Sequence, residues 1–129
     1  MSKDTENLWE IDFKPADVRT PKSLLDQQAG LLEKLTNGVL YGSIHTEETP
    51  LEGDFKHEFR ILAPGLGGYS YKLFVVRQPL RMYPLTIESE VFDRYKKCKN
   101  EIEFRDALKE ILRHKSTKQV VNAMIAQSL

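Results

Sequence analysis

"FRILAPGLGGYSYKLFVV", residues 59–76, decides how the rest of the chain is read. Gly65, Gly67 and Gly68 lie between two runs rich in apolar and aromatic residues. A phosphate-cradling glycine loop needs a strand before it and a helix after it, because the helix N-terminus supplies the N–H groups and the positive potential. Here the glycines are followed by "YSYKLFVV", which has period two and β-branched residues. Ser70 stands where a third spaced glycine would fall, and no Gly-Lys-Ser/Thr follows. The segment therefore reads as two strands joined by a hairpin bend, with the glycines supplying positive φ.

Working outward, "FKHEFRILA" alternates Phe55, His57, Phe59, Ile61 and Ala63 against Lys56, Glu58, Arg60 and Leu62. "YSYKLFVVRQ" alternates Tyr69, Tyr71, Leu73, Val75 and Arg77 against Ser70, Lys72, Phe74 and Val76. "VLYGSIHT" precedes them as a further strand. "RMYPLTIES" follows as a fourth, with Pro84 implying an edge position or a bulge. The short connections predict a four-stranded antiparallel meander. "EVFDRYKKCK" suits either a continued strand or one helical turn, which leaves residues 89–99 unassigned.

Helical patterns flank the strands. In "TPKSLLDQQAGLLEKLTNG", Thr20 can cap and Pro21 suits the first helical position. Leu24, Leu25, Gln28, Leu31, Leu32 and Leu35 form one stripe, and Asn37 or Gly38 can end the helix in the left-handed conformation. "NEIEFRDALKEILRH" opens on an Asn100–Glu103 capping box and carries Phe104, Ala107, Leu108, Ile111 and Leu112 on one face. "STKQVVNAMIAQSL" offers a second box, Ser116 with Gln119, followed by Val120, Val121, Met124 and Ile125. The expected fold class is α+β: an N-terminal helix, the meander, then two C-terminal helices packed on one sheet face. Residues 20–129 form a single domain in this reading, and residues 1–19 an apolar and acidic N-terminal arm.

The 129 residues are 40% hydrophobic and 29% charged, which suits a globular chain rather than a disordered one. No apolar run approaches the roughly 18 residues of a membrane span, so no membrane partner is expected. The N-terminus lacks the apolar core of a secretory signal, and the single Cys98 cannot form an internal disulfide. The expected location is therefore cytoplasmic. Net charge is zero but unevenly spread. Residues 1–54 carry 5 Lys/Arg against 11 Asp/Glu, residues 55–99 carry 9 against 4, and residues 100–129 carry 5 against 4. A neutral total argues against a dedicated high-affinity DNA binder.

The reactive residues form no catalytic pattern. There is no Gly-x-Ser-x-Gly elbow, no Cys-x-x-Cys, and no zinc spacing around His45 and His57, although both fall on the first hairpin, where they could face each other. Cys98 in "KKCKN" has lysines beside it but no catalytic partner, which favours an inert thiol. The expectation is a non-enzyme with no catalytic residues, no cofactor and no metal site.

Two binding readings remain. The first is a small protein-interaction domain of accessory, inhibitor/immunity or adaptor type, with a protein partner of unknown identity and a weak homodimer as a further expectation. Its candidate residues are Leu8, Trp9, Ile11 and Phe13, too apolar for a purely solvated arm. They are expected to dock on the body or on a partner. The alternative is single-stranded nucleic acid on a basic, tyrosine-bearing sheet, with Arg60, Lys72, Arg77, Arg81 and Tyr83 as candidates. That alternative needs the tyrosines exposed, and no RNP-like run supports it.

Overall fold

The computed structural model describes residues 6–9, 13–15, 19–49 and 54–129. Helix α1 spans Pro21–Leu35, strands β1 to β5 span Tyr41–Thr49, Asp54–Ala63, Tyr69–Gln78, Leu85–Glu88 and Lys96–Cys98, and helices α2 and α3 span Glu101–Leu112 and Lys115–Ser128. All strand pairs are antiparallel and the sheet order is β1-β2-β3-β4-β5. The architecture is thus the α+β meander, with five strands rather than four. The added strand, β5, is only three residues long and lies in the segment whose pattern was too short to assign.

Local chemistry sets the element ends. Thr20 Oγ1 accepts from Ser23 N at 3.1 Å, and Pro21 opens α1. Asn37 and Gly38, with φ of 53° and 80°, turn the chain out of the helix. Thr36 then ties the helix end to the sheet: its hydroxyl donates to Leu32 O and accepts from Leu40 N. In α2 the Asn100 side chain caps Glu103 N at 2.9 Å, and Glu103 Oε1 accepts from Lys99 N at 2.8 Å, one residue before the cap. The second box does not form. The N-cap of α3 is His114, whose Nδ1 accepts from Ser116 N, so Ser116 lies inside the helix.

The glycine stretch is a hairpin bend. Pro64–Leu66 form a 3₁₀ turn, and Gly67 and Gly68 follow at φ of 65° and 78°. Gly65 answers a packing need instead: a Cβ there would lie 2.7 Å from Ser128 O, at the end of α3. Gly42 is the matching seat for α1, since a Cβ there would meet Ala29 Cα at 2.5 Å.

Two strand readings are corrected. The register slips between Phe59 and Arg60, so Phe59 pairs with Phe74 while Arg60 pairs with Lys72, leaving Leu73 as the bulged residue. Facing partners share a side of the sheet. Tyr69 and Tyr71 therefore lie on the same side as Phe74, Val76 and Gln78, not with Val75 and Arg77 as strict alternation implied. Pro84 marks neither an edge strand nor a bulge. It precedes β4, which has neighbours on both sides, and follows Tyr83 through a cis peptide bond.

The core lies between one sheet face and the three helices. Leu25 of α1, Phe59 and Ile61 of β2, Phe74 and Val76 of β3, Leu85 and Ile87 of β4, Cys98, and Phe104 and Ile111 of α2 are all buried in it. Phe59 and Phe74 stack across β2 and β3 at 4.9 Å. The other sheet face carries Lys56, Glu58, Arg60, Lys72, Arg77 and Glu88, with no helix over it among the described residues.

Candidate functional site

The stripe on α1 is longer than the core it meets. Leu24, Leu25 and Ala29 are buried, but Leu31 and Leu35 are 43% and 78% exposed. Leu32 between them is half-buried against the core. A cavity of about 250 Å³ opens beside these leucines. Its walls are Leu31, Leu32 and Leu35 of α1, Leu112 of α2, and Thr117 and Val121 of α3; Phe59, Ile61 and Leu73 form its floor.

A second hollow of about 200 Å³ continues the first toward the start of α1, lined by Leu24, Gln28, Arg105, Leu108, Lys109 and Arg113 among others. Gln28, Leu112 and Arg113 border both spaces, so the two hollows adjoin along α1 as a divided groove. Leu24, Arg105 and Leu108 line one end, and Leu35 and Val121 the other.

The groove has a charged rim. Arg105 and Lys109 of α2 and Arg113, which caps its C-terminus, are spaced four residues apart, hence on one side of the helix, and all three are exposed. Arg105 pairs loosely with Glu101 at 3.8 Å. Lys109 and Arg113 have no ion-pair partner among the described residues. The groove thus combines an apolar floor with a cationic side. Such a surface can hold large apolar side chains and orient an anionic chain beside them.

The groove holds no reactive pair. His57 is buried under the sheet, its Nδ1 2.8 Å from Thr46 Oγ1 and its Nε2 2.8 Å from Gln78 Oε1. Gln78 Oε1 can only accept, so Nε2 carries the proton and the Thr46 hydroxyl donates to Nδ1. Burial lowers the pKa of this imidazole, against the opposing effect of the Gln78 hydrogen bond. His45 faces Glu58 in the register, on the opposite side of the sheet from His57, so the two imidazoles do not face each other. Cys98 is buried and its pKa is pushed up to about 11, chiefly by desolvation. Among the described residues no group of three or more His, Cys, Asp or Glu could hold a metal ion.

The residues singled out from the sequence fall in three places. Leu8, Trp9 and Phe13 are exposed on the arm, and Ile11 lies outside the described residues. Arg60, Lys72 and Arg77 lie on the open sheet face, where Arg60 pairs with Glu58 at 3.3 Å and Arg77 with Glu88 at 2.7 Å. Arg81 is exposed in the turn before β4. Tyr83 packs edge-on against Phe104 at 6.5 Å, on the helix side. The structure places Arg60, Lys72 and Arg77 on one sheet face and Tyr69, Tyr71 and Tyr83 on the helix side. Sequence reading missed the groove residues Leu31, Leu35, Arg105, Lys109, Arg113 and Val121. The signals were present: a leucine stripe running on past Ala29, and cations at every fourth position from Arg105 to Arg113.

Comparison with protein-family models, with curated proteins and with solved structures finds no significant match. Among the described residues no helix is long and apolar enough to cross a membrane.

Proposed function

We propose that this chain is a non-catalytic protein-interaction domain whose groove takes an acidic, amphipathic segment of a protein partner. The observation that carries the reading is the pair of adjoining hollows, one apolar and lined by the exposed leucines of α1 with Arg113 at its border, the other lined by Arg105, Lys109 and Arg113. Covering Leu31 and Leu35 would contribute about 1.5–3 kcal/mol each if burial were complete. The exposed cations add less affinity than direction: rim charges select an acidic partner and speed its encounter. The lone, buried, weakly acidic thiol agrees with a reducing compartment, and the proposal includes a cytoplasmic location on that ground.

The test is a titration of the full chain with two synthetic peptides that share an apolar face of Leu and Phe, one acidic and one basic elsewhere. The acidic peptide is expected to bind and the basic one not. The charge reversal K109E/R113E is expected to weaken the acidic peptide at least tenfold, and L35E to do the same. Equal binding of both peptides, or binding untouched by either variant, overturns the proposal.

A further inference from the structure

Resting on that reading, we infer that the groove is contested by the chain's own N-terminal arm, so that an outside segment must displace a tethered one. The arm carries the chemistry the groove selects. Leu8, Trp9 and Phe13 are 81%, 71% and 73% exposed. The rings of Trp9 and Phe13 meet edge to face, with centroids 5.4 Å apart. They make one apolar face, and Glu6, Glu10 and Asp12 surround it in the sequence. The chain therefore bears two unpartnered apolar surfaces of opposite charge.

The reach is sufficient. Arg19 lies 3.4 Å from Glu101, which holds the root of the arm beside the first turns of α1 and α2. The groove begins one turn further on, at Leu24 and Arg105, and runs to Leu35. From Arg19 to Leu35 the helical rise covers about 24 Å, and from Arg19 to Leu31 about 18 Å. The six residues from Arg19 back to Phe13 extend up to about 20 Å. An arm folded back along the groove brings Phe13 beside Leu31, and the ten residues from Arg19 back to Trp9, up to about 33 Å, carry Trp9 to the Leu35 end. Because the root already sits at the mouth of the groove, the contact is within one chain. A short tether gives a local concentration of about 1 mM, so a groove with a free-peptide Kd near 0.1 mM would be mostly filled, and an added peptide would bind about tenfold more weakly.

Trp9 is the only tryptophan, so its emission and its quenching by acrylamide report the arm directly. In the full chain Trp9 is expected to be protected at all protein concentrations. In K109E/R113E it should become as quenchable as a free indole, while the far-ultraviolet circular dichroism stays unchanged. A second experiment uses a peptide of residues 4–19, whose Trp9 becomes the only indole in the mixture. It is titrated into full-length L8S/W9S/F13S and into full-length W9F. The first protein, with a disabled arm, should bind about tenfold more tightly than the second.

Equal affinity for the two proteins, or no binding of this peptide while the acidic peptide above still binds, overturns the arm inference alone. Loss of binding by both peptides overturns the groove reading as well. Protection of Trp9 that rises with protein concentration, together with a doubled mass in sedimentation, assigns the arm to a second copy and overturns the intrachain contact.

Discussion

Helices α1 and α2 carry apolar stripes of similar length but meet different fates. In α2, Phe104, Ala107, Leu108 and Ile111 are all buried, against a sheet end closed by Leu85, Ile87 and Cys98. In α1 burial stops at Ala29, and Leu31 and Leu35 face the groove. Periodicity shows which side of a helix is apolar; it does not show how much of that side is covered. The covered stripe holds the fold together, and the uncovered remainder of the other is where binding energy is still available.

The sharpest way to break this contrast is to truncate one residue on each side of it. Phe104→Ala is expected to lose about 3–5 kcal/mol, as full removal of a buried aromatic does. Leu35→Ala, made in the arm-disabled L8S/W9S/F13S chain, is expected to change stability by no more than about 0.5 kcal/mol, as exposed positions do. Urea midpoints of the two variants measure the difference. Similar losses would mean that the C-terminal half of α1 is as well covered as α2.

The next test concerns what holds the buried half of α1 in place. Gly42→Ala sets a methyl group 2.5 Å from the backbone of Ala29, with no flexible side chain to yield, so the helix must lift from β1. A loss of about 1–3 kcal/mol is expected, measured by thermal or denaturant unfolding. If Gly42→Ala is silent, the close seat of α1 on β1 is wrong.

A pH experiment probes the same layer. The folded pKa of His57 lies below its unfolded value of 6.5, mainly through burial. Its contribution to stability is therefore complete above the unfolded pKa. As pH falls below that value the unfolded chain takes up a proton that the fold refuses, and stability declines until the folded site protonates. The slope from one such proton is at most about 1.4 kcal/mol per pH unit. Urea midpoints measured from pH 8 downward should show the decline, and His57→Gln should remove this part of it. A His57→Gln profile parallel to wild type would show that the imidazole is not held neutral.

The smallest effect concerns Tyr83, whose hydroxyl is buried without a hydrogen-bond partner among the described residues. Tyr83→Phe keeps the ring against Phe104 and removes the stranded polar atom. Stability is expected to hold or to rise by about 1 kcal/mol. A loss of that size would reveal a partner for the hydroxyl.

Much of this fold was legible in the chain. Thr20, Pro21 and Asn100 announce helix starts through chemistry confined to one turn, and the alternation through Phe55–Ala63 is unbroken over nine residues. What failed to show depends on partners distant in sequence. The bulge at Leu73 looks like ordinary alternation until β2 is laid beside it. Strand β5 exists because β4 pairs with it, since three residues hold no period of their own. The groove was half legible: its residues were visible as stripes, but only packing reveals that α2 and α3 stop short of Leu31 and Leu35.

The strand order also bears on how the chain assembles. Every strand lies beside its neighbour in sequence, so the sheet can form by adding one short hairpin after another, each closing a small loop. The contact of Gly65 with Ser128 is different, since it joins the β2–β3 turn to the end of α3 across half the chain. Loop-closure entropy places it late in folding. A residue larger than glycine at position 65 should therefore speed unfolding far more than it slows refolding, giving a chevron in which only the unfolding limb moves.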